Sequence, residues 1–69
     1  MAEVRAEMVA SVWIVAVTEG DHVIAGETLV ILESMKMEIP VVAARAGIVR
    51  LNVAQGDVVR EDDVIAAID

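Results

Sequence analysis

With 69 residues the chain has room for one small domain, near the lower size limit for a core without crosslinks, and the lack of cysteine removes disulfides and thiolate metal sites. Hydrophobic residues make up 58% of the chain and Trp13 is its only aromatic, so packing must rest on aliphatic side chains. A formal net charge of −7 leaves little to neutralise phosphates; it argues against nucleic acid and anionic membranes as partners and favours docking onto basic patches of other proteins.

Met1-Ala2-Glu3-Val4-Arg5 lacks a basic stretch followed by an apolar one, so no secretory signal is read there and the expected location is the cytoplasm. A first short strand is expected over Val4 to Met8. The apolar run Met8 to Val17 contains Ser11 and is too short to span a bilayer as a helix; Ser11 to Val17 is read as a strand instead. Gly20-Asp21 then marks a turn, because Gly accepts positive φ and Asp can bond nearby backbone. A short apolar pair, Val23-Ile24, a loop at Ala25-Gly26-Glu27 and a strand from Thr28 to Glu33 follow. Glu27 to Glu38 also holds good helix formers, but Thr28, Val30 and Ile31 are β-branched and stiff, which favours strand. Met37 to Val42 and Gly47 to Val53 are the next strands. A second Gly-Asp turn at Gly56-Asp57, the pair Val58-Val59, a loop at Glu61-Asp62-Asp63 and a strand from Val64 to Ile68 complete the chain. The start at Met1 and stop at Asp69 are expected to delimit one free-standing domain, residues 1–69, acting as a monomer.

The chain repeats itself at an offset of 36 positions. Glu19-Gly20-Asp21-His22-Val23-Ile24 is echoed by Gln55-Gly56-Asp57-Val58-Val59-Arg60, and Thr28 to Glu33 by Val64 to Asp69. At the same offset Val12, Val15 and Val17 align with Ile48, Leu51 and Val53. Two repeats are too few for a solenoid. They predict an all-β sandwich of about eight short strands with an internal pseudo-two-fold, each half supplying one layer.

Lys36, the only lysine, falls between the halves in Glu33-Ser34-Met35-Lys36-Met37-Glu38. Strands on both sides make Ser34 to Met37 the tip of a hairpin, with Lys36 projecting into solvent. The other basic residues, Arg5, Arg45, Arg50 and Arg60, keep their protons and are poor nucleophiles; a lysine amine can be acylated. Ordinary surface charge is the simplest reading of a lone loop lysine. Met35 and Met37 argue against it, since they place flexible apolar side chains on a tip that should be polar and so suggest a contact surface. The carboxylates of Glu33 and Glu38 favour the ammonium over the free amine, which argues against a catalytic lysine and for one that an outside enzyme modifies.

Glu33-Ser34-Met35-Lys36-Met37-Glu38 resembles the Glu-Ala-Met-Lys-Met-Glu attachment motif of biotinyl domains in biotin-dependent carboxylases, with Ser34 in place of Ala. Gly20-Asp21, Gly26, Glu33, Lys36 and Gly47 fall at the spacing of the biotinyl/lipoyl attachment family, and nearly the whole chain is covered. Lipoyl domains share the fold but carry their lysine in Asp-Lys-Ala, so the resemblance favours biotin over lipoate. It implies a flattened barrel of two four-stranded antiparallel sheets with the attachment lysine opposite the termini. It also implies covalent biotin on Lys36, joined by a biotin protein ligase, and a non-enzymatic carrier passing carboxyl groups from a biotin carboxylase to a carboxyltransferase. Met35 and Met37 are then contacts around the attachment point, and Glu33 and, less strongly, Glu38 are candidates for ligase recognition. Two departures stand out. The family's Ala-Pro-Met-Pro-Gly reads Ala6-Glu7-Met8-Val9-Ala10 here, a loss of two prolines and a glycine that is expected either to alter the first turn or to leave that edge freer to pair. The strand after Gly47 is one residue short, which suggests a lost β-bulge and leaves open whether Ile48 or Val49 takes the core position matching Val12. No loop between the early strands is long enough to form a thumb over biotin.

The remaining polar residues read as structural. His22 beside Asp21 has no nucleophile in a recognisable arrangement, and Glu61-Asp62-Asp63 lacks calcium-loop spacing. Trp13 either fills the barrel edge or anchors a partner. Two alternatives to the biotin carrier stand beside it: a lipoyl-type carrier, and a non-carrier module that docks or stores biotin through the Lys36 tip.

Overall fold

The computed structural model describes residues 1–69 and contains eight strands: β1 (Ala2–Arg5), β2 (Ala10–Val15), β3 (His22–Val23), β4 (Thr28–Ser34), β5 (Met37–Val42), β6 (Gly47–Leu51), β7 (Val58–Val59) and β8 (Val64–Ile68). They form two antiparallel four-stranded sheets, ordered β1-β8-β6-β3 and β5-β4-β2-β7. The all-β sandwich with internal symmetry is therefore correct, but the expected division into one layer per half is not. Each sheet mixes both halves: β3 of the first pairs with β6 of the second, and β7 of the second pairs with β2 of the first. The Gly-Asp turns cause this. They do not fold a strand back on its neighbour as hairpins; they carry the chain over to the opposite sheet.

Those turns use the side chain as expected. The backbone N–H of Thr18 donates to Asp21 Oδ2 and that of Ala54 to Asp57 Oδ2, each at 2.9 Å. The next loops repeat the device, with Ile24 N–H donating to Glu27 Oε1 and Arg60 N–H to Asp63 Oδ2. All four bonds obey the 36-residue offset. Local hydrogen bonds of this kind hold a loop without any core of its own.

The opening strands follow a different offset. Ala10 and Ser11 pair with Val59 and Val58, whereas Gly47 and Ile48 pair with Val23 and His22, so Val12 corresponds to Val49, 37 positions on. Val49 is the fully buried residue and Ile48 is half-buried, which decides the face of this strand. The position without a counterpart in the second half is Trp13. The β2–β4 register shifts between Val12 and Ile14, while β6 pairs with β8 without a shift through Val49, Arg50 and Leu51. Trp13 is thus the extra residue of a β-bulge that the second half lacks.

The expected first strand, Val4 to Met8, lies earlier, at Ala2–Arg5. The cause is Ala6, whose backbone bonds Asp62 and Asp63 as that of Ala43 bonds Gly26 and Glu27. Ala6 and Ala43 are both buried, and the chain bends after each to cross between sheets. The stretch Ala6 to Ala10 is accordingly a crossover matched by Ala43 to Gly47.

Thirteen buried residues, all apolar, make one core cluster, with Val12, Val23, Leu29, Val30, Val49, Val59, Ile65 and Ile68 almost wholly enclosed. No buried side-chain polar atom lacks a partner. Gly47 closes the cluster near the C-terminus: a Cβ there would overlap the Asp69 carbonyl oxygen and press on Ile68 Cγ2. Gly47→Ala is expected to cost about 2 kcal/mol of unfolding free energy, read from denaturant midpoints, because backbone rather than a flexible side chain must give way.

Candidate functional site: the Met35-Lys36 turn

β4 and β5 make the longest pairing in the protein, from Thr28↔Val42 to Ser34↔Met37, and only Met35 and Lys36 join them. A two-residue hairpin loop of type I′ has positive φ at both central positions, a geometry that favours Asn-Gly. Here φ is 52° at Met35 and 65° at Lys36. Left-handed backbone costs an L-residue about 1–2 kcal/mol. A dipeptide poorly suited to its turn, kept at the end of the most extended hairpin, is a local strain that points to function.

The symmetry gives this turn its position. β4 and β5 correspond to β8 and β1, which pair in the same way but are not joined, because the chain begins and ends there. The pseudo-two-fold therefore sets the Lys36 turn against the termini, on opposite sides of its axis.

Lys36 is exposed and takes part in none of the ion pairs, all of which belong to Arg5 and Arg50. Its amine is free to meet an incoming group. Met35 is 90% exposed and Met37 57%. Ser34 Oγ donates to the Val9 carbonyl oxygen at 3.2 Å, tying the turn to the crossover before β2, where Met8 and Val9 are also exposed. The lysine thus stands among uncovered aliphatic and thioether side chains, a surface suited to transient contact.

Glu33 and Glu38 face each other directly across β4 and β5. Like charges in that relation are unfavourable, and no cation of the chain pairs with either. Together with Trp13 and Lys36 they line a shallow hollow of about 220 Å³. The residues singled out from sequence, Glu33, Met35, Lys36, Met37 and Glu38, are therefore gathered at one end, with Trp13 added. His22 and the Glu61-Asp62-Asp63 loop are not part of it: His22 lies in β3 opposite Ile48, and Asp63 is engaged with its own loop. No three His, Cys, Asp or Glu side chains converge as metal ligands.

A single lysine amine, exposed and unpaired on a left-handed hairpin tip between the two pseudo-symmetric halves, is open to acylation by an outside enzyme. The sequence profile described as "Biotin-requiring enzyme", of the biotin/lipoyl family, matches residues 2–68. The chain belongs to the biotin/lipoyl attachment family. A biotinylated protein from Mycobacterium leprae, a TB7.3 homolog, is 60% identical over 99% of both chains. Among solved structures, the urea carboxylase of Kluyveromyces lactis superposes with a TM-score of 0.89 at 34% identity, covering 97% of this chain and 6% of that enzyme. The lipoyl domain of the 2-oxoglutarate dehydrogenase complex from Azotobacter vinelandii superposes with a TM-score of 0.84 at 18% identity, covering 100% of this chain and 96% of that one; that likeness is one of fold. Biotin, held covalently, is the cofactor of this family member, which is a carrier domain.

Proposed function

We propose that a biotin protein ligase joins biotin to Lys36 Nζ and that the loaded domain carries carboxyl groups from a biotin carboxylase to a carboxyltransferase. The observation that carries this reading is the state of the lysine: the only one in the chain, exposed, free of ion pairs and lifted on a left-handed turn. The likeness to one domain of a large carboxylase supports the choice of partners.

The chain's own residues supply presentation. The Met35-Lys36 turn fixes the Cα of Lys36 at the end of a rigid hairpin, so an enzyme meets the amine at a defined place and only the side chain must be ordered. In the ligation step the amine, once deprotonated by the ligase, attacks the acyl carbon of biotinyl-AMP; the amide bond forms and AMP leaves. Met35 and Met37 give the ligase and the carboxylase subunits an apolar grip. Glu33 and Glu38 offer paired negative charge to a basic partner surface, which speeds and orients encounter more than it tightens binding. Bound biotin supplies a ureido nitrogen that accepts and releases a carboxyl group, and the tether raises its effective concentration at either partner. This reading has the carrier acting as a monomer in the cytoplasm.

Intact mass before and after incubation with biotin ligase, biotin and ATP tests the site. The expected result is a gain of one biotin less one water, absent in Lys36→Arg, with both proteins equally folded by circular dichroism. A gain that persists in Lys36→Arg would refute the assignment. Glu33→Gln with Glu38→Gln is expected to lower ligase kcat/KM by about tenfold at low salt, and by less as salt screens the pair.

A further inference from the structure

We propose that Trp13 is a platform on which the biotin ring system tethered to Lys36 comes to rest. The inference builds on attachment at Lys36 and adds a binding site on the carrier itself. Three observations carry it. Trp13 is the only aromatic side chain of the protein, and it is 45% exposed on the outer face of a sheet. It occupies the extra position of the β2 bulge, which has no counterpart in the second half, so only the Lys36 end of the barrel carries the feature. It shares one hollow with Lys36, Glu33 and Glu38.

The chemistry of the hollow matches the ring. At about 220 Å³ it is smaller than the ~300–1,000 Å³ of sites for drug-sized ligands and suits a fragment-sized fused ring. The indole offers a flat apolar face to the sulfur-containing ring. The ureido group has two N–H donors, and Glu33 and Glu38 are two carboxylate acceptors that no cation of the chain occupies. Lys36 opens onto the hollow, so the flexible chain through its amide need only fold back. An anionic ring would be repelled by the same carboxylates, so the platform holds the neutral form.

The contact need not be strong. A short flexible tether gives an effective concentration in the millimolar range, so an intrinsic Kd of about 1 mM leaves the ring at rest about half of the time. Half occupancy shields the cofactor between partners and is easily reversed by either of them.

Trp13 is the sole fluorophore of its kind, so emission reads the platform directly. The protein is prepared unloaded and fully biotinylated, loading being established by intact mass, and both are titrated with acrylamide. Loading is expected to shift Trp13 emission to the blue and to lower the quenching constant by about 1.5- to twofold. In loaded Trp13→Leu, which keeps an apolar side chain at an exposed position, streptavidin capture is expected to be about twofold faster than in the loaded parent, since the freely available fraction sets the apparent rate. Complete mass gain with unchanged emission, quenching and capture would overturn the platform and leave attachment standing. Absence of mass gain would sink attachment and the platform with it.

Discussion

Lys36→Gly is expected to abolish biotin acceptance completely and to make the protein more stable. The first result follows from losing the only amine of the lysine type in the chain. The second follows from φ of 65° at this position. Removing the Cβ relieves about 1–2 kcal/mol of left-handed strain. Glycine returns part of this, about 0.5–1 kcal/mol, through the greater freedom of the unfolded chain. A net gain of about 0–1.5 kcal/mol remains, centred on about 0.7 kcal/mol. With a urea dependence of about 1 kcal/mol per molar for a small protein, the midpoint should rise by about 0.7 M. Lys36→Arg separates strain from chemistry: it too loses acceptance, but it keeps the Cβ and should leave the midpoint in place. If Lys36→Gly proved less stable than the parent, the turn would not be strained, and its backbone could no longer be read as a sign of function.

The sequence disclosed most where the chemistry is local. The Gly-Asp turns, the Lys36 tip and the closing strands Thr28 to Ser34 and Val64 to Ile68 all lie close to their expected places, because turn residues and β-branched runs act through near neighbours. The interleaving of the two halves was not legible. Gly20-Asp21 marks a turn whether the chain then folds back or crosses to another sheet; what decides is the pairing of β3 with β6, a contact between residues far apart in sequence. The bulge was only half legible. The strand after Gly47 is visibly one residue short, but Val12-Trp13-Ile14-Val15 is apolar throughout and shows no alternation to reveal which residue is extra. Trp13 declares itself only through the register against β4. The same bulge carries the indole to the Lys36 end, so the feature hardest to read from sequence is also the one that completes the site.

Leu29→Ala and Ile65→Ala are each expected to cost about 3 kcal/mol, and to cost nearly the same. Both side chains are fully buried and lie 36 positions apart, near the starts of β4 and β8. Truncating an enclosed Leu or Ile forfeits the transfer free energy of its methyl groups and leaves a cavity, together about 2–5 kcal/mol. A domain of this length has a total stability of only about 3–10 kcal/mol, so either change removes a large part of it. Val58→Ala, at a side chain 65% exposed, should change stability by less than about 0.5 kcal/mol. Equal losses would be the energetic mark of interlocked halves, since each sheet draws on both and neither can relax alone. A small loss at Leu29 beside a large one at Ile65 would mean instead that the first half folds as a satellite of the second. That difference bears on function, because β4 runs from Leu29 directly to the Lys36 turn. In an interlocked barrel the turn opens only with the whole core, so the fall in ligase labelling for either variant should track its unfolded fraction measured under the same conditions.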